Sequence, residues 1–158
     1  MVDITRLRSV GSIWEVTWKF EDASFETLKT LAEEHSYPAG KTVFLENDKP
    51  DGMYLVLEGS ALIVRKDAQG QEHTIGIVSE DQSFGEIGLV TDRPRAATVV
   101  AGTDLRVLKI TRYVLQLLHE SAPDLALLMY QALCRTLAEQ LIHMQEHHAR
   151  GEDIEIEE

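Results

Sequence analysis

A chain of 158 residues, 44% hydrophobic and 27% charged, is long enough to bury one sizeable core and ordinary enough to form a globular domain. Its formal charge of −12 argues against nucleic-acid binding, which needs a basic surface to meet phosphates; five of those charges sit on acids after Arg150. No apolar run approaches the roughly 20 residues of a membrane helix, the first residues lack the apolar stretch of a signal peptide, and the single cysteine, Cys134, excludes an internal disulfide. A cytoplasmic protein that binds neither nucleic acid nor membrane is therefore expected.

In chain order, residues 1–20 mix helical and strand periods through Ile13, Trp14, Val16, Trp18 and Phe20 and are assigned to a docking arm. The domain itself is expected over 21–148. Ser24 is its first candidate N-cap, with Phe25, Leu28, Leu31 and Ala32 following at helical spacing and the helix ending near His35. From Lys41 to Lys109 the pattern shortens to strands at Thr42–Leu45, Met53–Leu57, Ser60–Arg65, His73–Val78, Ala97–Ala101 and Leu105–Ile110. Turn signals separate them: Glu46 to Gly52, Glu58-Gly59, and the hairpin turn Asp67-Ala68-Gln69-Gly70. Many short strands with regular turns predict a mainly β fold, a double-stranded β-helix or jelly-roll barrel with flanking helices.

Thr111 caps a short helix through Leu118, and Pro123 opens a long one running to about His148. The long helix carries two apolar stripes. Met129, Leu133, Thr136, Gln140, His143 and His147 form one; Tyr130, Cys134, Leu137, Leu141 and Met144 form the other. A helix with so wide an apolar surface packs on two things, here its own barrel and the same helix of a second copy, so a homodimer is expected. Cys134, inside the second stripe, reads as a buried small hydrophobe. Residues 149–158 read as an acidic disordered tail.

The chemistry concentrates between Phe84 and Thr98. Gly85 and Gly88 bracket a turn that a ligand can approach closely, and a short helix starting there aims backbone N–H groups at an anion. Arg95, expected at the start of a strand behind Pro94, can take a phosphate in bidentate fashion. Glu86 only accepts hydrogen bonds and suits a sugar hydroxyl. Together these groups describe the sugar-phosphate of a nucleotide.

The order Phe84-Gly85-Glu86-Ile87-Gly88-Leu89, followed by Arg95-Ala96-Ala97-Thr98, resembles the phosphate-binding cassette of the cyclic-nucleotide-binding domain family. Tyr37-Pro38-Ala39-Gly40 and Met53-Tyr54-Leu55-Val56-Leu57-Glu58-Gly59 extend the resemblance over residues 20–148. The resemblance implies that Glu86 takes the ribose 2′-hydroxyl and that Arg95 pairs with the cyclic phosphate, helped by backbone N–H groups of Gly85, Glu86 and Ala96. Ile87, Gly88 and Ala97 complete the cassette. Ala96 lacks the hydroxyl that accompanies cyclic GMP preference, which tilts the ligand toward cyclic AMP, with cyclic GMP the alternative. Leu137, Gln140 and Leu141 would meet the base, and the long helix would close over it to signal to a downstream effector protein. Asn47 and Asp81 depart from the family's glycines at turns; both types tolerate the left-handed conformation, so the turns should survive.

Three rival readings stand beside this one. A structural or dimerising module would keep the fold without a working pocket, with Glu86 and Arg95 paired to each other or Arg95 turned onto a protein carboxylate. A zinc enzyme could use His143-Met144-Gln145-Glu146-His147, but no third ligand is in view and only His73 is expected on a strand, so no enzyme, metal or cofactor is expected. A catabolite-activator-type transcription factor would need a DNA-binding domain, whereas only residues 149–158, acidic in character, follow the long helix.

Overall fold

A computed structural model describes residues 2–3 and 19–150, the side chains of residues 2, 3, 19, 20 and 147 excepted. Most of the expected arm and of the acidic tail thus lie outside the described residues. Strands β1 (Val2–Asp3) and β2 (Lys19–Phe20) pair antiparallel, and α1 (Asp22–Leu31) follows. Ser24 lies inside α1, whose N-cap is Glu21; the Phe25 N–H donates to the Glu21 carbonyl at 2.9 Å.

The helix also stops earlier than expected. Ala32 turns extended, and Glu33–Tyr37 forms strand β3 against residues 105–109, with His35 opposite Val107. No apolar alternation marks Glu33–Tyr37; a partner strand that captures its backbone groups decides its conformation. His35 therefore joins His73 as a strand histidine.

The remaining strands are β4 (Thr42–Phe44), β5 (Gly52–Glu58), β6 (Ala61–Lys66), β7 (Glu72–Val78), β8 (Ser83–Phe84), β9 (Thr98–Ala101) and β10 (Leu105–Thr111). They form two antiparallel sheets in the orders β3-β10-β5-β8 and β4-β9-β6-β7, the expected jelly-roll arrangement. Both sheets feed one apolar cluster, in which Phe44, Val56, Ile63, Phe84, Val99 and Val107 meet.

On its outer face the first sheet carries the helices. Alternate residues of β5 and β10 divide accordingly: Tyr54, Val56 and Val107 point between the sheets, whereas Met53, Leu55, Leu108 and Ile110 pack beneath the helices. A strand covered on both faces has no polar alternation, and so Met53–Leu57 reads as a continuous apolar run. At the β6–β7 hairpin the Asp67 carboxylate accepts from the N–H groups of Gln69 and Gln71, both at 2.9 Å, as its turn requires.

Thr111 caps α3 (Arg112–Ser121), its hydroxyl oxygen accepting from the Val114 N–H at 3.1 Å. The long helix α4 spans Pro123–Ala149. Its first stripe turns inward through Met129, Leu133, Thr136 and Gln140, all buried. Its second stripe turns outward, and Cys134 is exposed, not buried as its apolar neighbours imply. Among the described residues no helix is long and apolar enough to cross a membrane.

Candidate functional site

The β5–β8 ladder sets Phe84 opposite Tyr54, their rings stacked at 5.0 Å between centroids. Beyond Phe84 the chain needs a left-handed step, which Gly85 supplies at φ 77. Glu86 then caps the four-residue helix α2 (Ile87–Val90). This places the Glu86 side chain inward, with none of its surface exposed.

One Glu86 carboxylate oxygen, Oε1, accepts from the Ser83 hydroxyl. The other, Oε2, is buried and has no hydrogen-bond donor. A buried acceptor left unsatisfied costs roughly 1–3 kcal/mol, a cost that a donor reaching it would relieve.

Arg95 is also buried, but it sits in the connection before β9 and not at the start of a strand. Its backbone is pinned to the β4–β5 turn: the Asn47 N–H donates to the Arg95 carbonyl at 2.7 Å, and the Arg95 N–H donates to the Asp48 carbonyl at 2.8 Å. Asn47 at φ 69 and Asp81 at φ 63 adopt the left-handed conformation expected of them.

The Arg95 guanidinium donates to the Gly85 carbonyl at 3.2 Å, the Gly52 carbonyl at 2.8 Å and Asp51 Oδ1 at 3.1 Å. It stacks over the Phe44 ring, 4.1 Å from the centroid. A Cβ at Gly85 would come within 2.8 Å of Arg95 Nη1, and one at Gly88 would strike the same atom and lie 2.7 Å from Pro50 Cβ. The two glycines therefore make room first of all for the guanidinium.

Asp51 is shared, since Lys109 donates to its second oxygen. Burial alone would raise the Asp51 carboxyl, but the hydrogen bonds and charges of Lys109 and Arg95 hold it below the usual carboxylate range. Tyr54, beneath this group, is pushed up to about 12 by burial and by the negative charge of Asp51, with Arg95 acting in the opposite direction.

Gly85 and Gly88 thus lie against the Arg95 guanidinium, with Glu86 between them in the chain. Ile87 and Ala96 beside them are half-buried. Ala97 differs: its methyl group lies in the cluster between the sheets, so it can offer a ligand only its backbone. Leu137, Gln140 and Leu141 stand apart on the distal half of α4. Gln140 belongs to the inward stripe, while Leu137 and Leu141 lie outside both apolar clusters, with Leu141 53% exposed.

Ser83, Asp51, Gly52, Phe44 and Lys109 escaped sequence reasoning. Only Ser83, three residues before Glu86, carried a local signal. Of the zinc alternative, the side chain of His147 lies outside the described residues. Among the described residues no group of three or more His, Cys, Asp or Glu side chains is placed to hold a metal.

A sequence profile described as cyclic nucleotide-binding domain matches residues 34–121, more than half of the chain. The chain belongs to the cyclic nucleotide-binding domain family. It is 40% identical over 76 residues to the cAMP-dependent protein kinase regulatory subunit of Aspergillus niger, a match that covers 48% of this chain and 18% of that protein. It is 32% identical over 103 residues to the cyclic AMP receptor protein of Thermus thermophilus, covering 65% of this chain and 48% of the receptor. Among solved structures, the N-terminal domain of a transcriptional regulator from Streptomyces coelicolor A3(2) superposes with a TM-score of 0.67 at 28% identity, covering 80% of this chain and 85% of that one. This chain spans half or less of the two curated relatives named above.

Proposed function

We propose that the chain is a receptor module for a cyclic nucleotide, with cyclic AMP favoured over cyclic GMP. The observation that carries this reading is the Glu86 carboxylate, fully buried with Oε2 lacking a donor. A ribose 2′-hydroxyl supplies that donor, and Arg95 supplies the charge for the cyclic phosphate. Backbone N–H groups of Gly85, Glu86 and Ala96 complete the phosphate site in this reading, and the Ala96 methyl offers no hydroxyl to a guanine. Names of relatives that mention cAMP support the same ligand.

One observation favours the alternative module without a working pocket: Arg95 rests on the Asp51 carboxylate. Two others weigh against it. Glu86 and Arg95 do not pair with each other, so each charge keeps its own task. The Asp51 side chain is 54% exposed and also bound to Lys109, which leaves it a partner when phosphate takes its place on Arg95. Phosphate then replaces one anion with another at the same guanidinium.

Signalling, in this proposal, comes from α4. The distal half of α4 closes toward the base through Gln140 on its inward face, which requires tighter ligand binding by the closed form than by the open one. The outward stripe, Leu127, Tyr130, Cys134, Leu137, Leu141 and Met144, repeats at alternating three- and four-residue steps, the spacing of a two-stranded coiled coil. A second copy of this chain covers it.

Isothermal titration calorimetry with cyclic AMP and cyclic GMP tests the ligand. The expected outcome is heat from both, tighter for cyclic AMP, and a loss of roughly 1.5–3 kcal/mol in Arg95→Ala. Heat from neither nucleotide establishes the module without a pocket, and an unchanged affinity in Arg95→Ala overturns the phosphate role given to Arg95.

A further inference from the structure

Arg112 opens α3, yet its side chain serves the cassette. Its Nε donates to the Leu89 carbonyl at 3.2 Å and its Nη1 to Asp92 Oδ1 at 2.5 Å, while Nη2 donates to the Thr91 carbonyl. These are the carbonyls that a four-residue helix leaves without intrahelical partners. One planar guanidinium thereby spans three acceptors between Leu89 and Asp92, an arrangement that a point charge such as lysine does not reproduce. Thr91 also closes this helix end, its N–H and hydroxyl both donating to the Ile87 carbonyl, at 2.9 and 3.0 Å.

The two ends of α2 are anchored to different bodies. At its start, Glu86 is fixed to Ser83 of β8, and Arg95 reaches back to Gly85 and Gly52. At its far end, the Leu89 side chain packs with Leu115 and Leu118 beneath the helices, and Arg112 fixes the backbone above it. Beyond that point the packing opens: Val90 is 47% exposed, and a groove of about 490 Å³ separates Leu89 and Val90 from Gln116, His119 and Tyr130. The far end has room to shift, and what it would pull on is α3. From α3, His119 Nε2 lies 3.0 Å from the Tyr130 hydroxyl of α4, within the outward stripe.

We propose that Arg112 is a positioning residue, a latch that binds the carboxyl end of α2, in the middle of the cassette, to α3, so that a shift of the cassette is carried through α3 into α4. Transmission of a ligand's arrival rests on the receptor reading above; the latch itself does not. Arg112 does not touch the ligand in this proposal. It makes the cassette and the first turn of α3 one mechanical unit, and the Glu86/Arg95 end the part that occupancy changes.

Hydrogen–deuterium exchange read by mass spectrometry tests both parts. Without ligand, Arg112→Gln should raise exchange over residues 87–93 by about tenfold, as expected for losing charge-assisted bonds at a local opening. Arg112→Lys should restore part of the protection, and Asp92→Asn, at a side chain 88% exposed, should give a smaller rise with the fold intact. Unchanged exchange over 87–93 in both Arg112→Gln and Asp92→Asn, with native circular dichroism, overturns the latch. With saturating cyclic AMP, the wild-type chain should gain protection over 84–98 and over 112–116, and Arg112→Gln over 84–98 only. Equal protection of both segments in Arg112→Gln overturns the coupling. Should cyclic AMP protect neither segment of the wild type, the receptor reading falls, while the ligand-free comparison still decides the latch.

Discussion

Between Phe84 and Thr98 this fold buries polar groups that water would otherwise solvate, whereas between Leu127 and Met144 it leaves in water apolar groups that a core would otherwise take. Glu86 is fully buried with an oxygen unpaired; Leu127 is 59% exposed on a helix whose opposite face is buried from Leu125 to Gln140. Both depart from the ordinary sorting of residues, in opposite directions. The partners proposed above have opposite chemistry in the two places. In that reading the buried acceptor and the buried guanidinium take a small ligand bearing a hydroxyl and an anion. The six-residue stripe, repeating with the coiled-coil period, takes a long apolar surface, which in that reading is a second α4.

That contrast is tested most severely at the stripe. Leu127→Asp removes an apolar side chain from both protomers at once, so it should weaken the dimer by about 3–6 kcal/mol, or roughly 10²–10⁴-fold in its dissociation constant. Sedimentation velocity over a concentration series reads this directly; a chain that is monomeric before the substitution removes the helix-pairing half of the account.

The cassette side is sharpened by Tyr54, another buried polar group under the same anion. Its hydroxyl has a folded-state pKa pushed up from 10.0 to about 12. A raised pKa means that the folded state holds the proton more tightly. The stability it contributes is therefore complete below pH 10 and is lost as pH rises toward about 12. Tyr54→Phe should recover about 2–3 kcal/mol of that alkaline loss, measured by urea unfolding at pH 12 against pH 9, with Tyr37, also raised, accounting for a remainder. Equal alkaline losses in the two proteins would mean that Tyr54 is not confined as the structure has it.

The smallest effect belongs to ligand choice. Ala96→Thr adds one hydroxyl within reach of a guanine and should shift preference toward cyclic GMP by about 2–10-fold, the worth of one neutral hydrogen bond. Competition calorimetry with the two nucleotides reads it, and an unmoved ratio would take Ala96 out of base recognition.

How much of this was legible in the sequence depended on whether the cause was local. β5 and β6 declare themselves as apolar runs between turns, β7 by the hairpin turn before it and α4 by its period, and Thr111 and Pro123 mark helix starts by their own chemistry. β3 does not, because Glu33–Tyr37 becomes a strand only when β10 lies beside it. β8 is two residues long, too short to show a period. In the site, Glu86, Arg95 and the glycines were legible because the cassette is continuous in sequence. Asp51 and Lys109 were not, since they are ordinary surface types until β5 and β10 pair and bring them to Arg95. Cys134 was misread for a related reason: an apolar stripe on a helix says that something covers it, not that this chain does.

The central claim is that Glu86 Oε2 awaits a ribose hydroxyl, and the most direct measurement pairs a substitution in the protein with a deletion in the ligand. Affinities of wild-type and Glu86→Ala protein for cyclic AMP and 2′-deoxy cyclic AMP form a double-mutant cycle by calorimetry. The wild-type chain should prefer cyclic AMP by roughly 10–100-fold, and Glu86→Ala should bind both ligands alike. The same preference in both proteins would place the 2′-hydroxyl elsewhere and contradict the account.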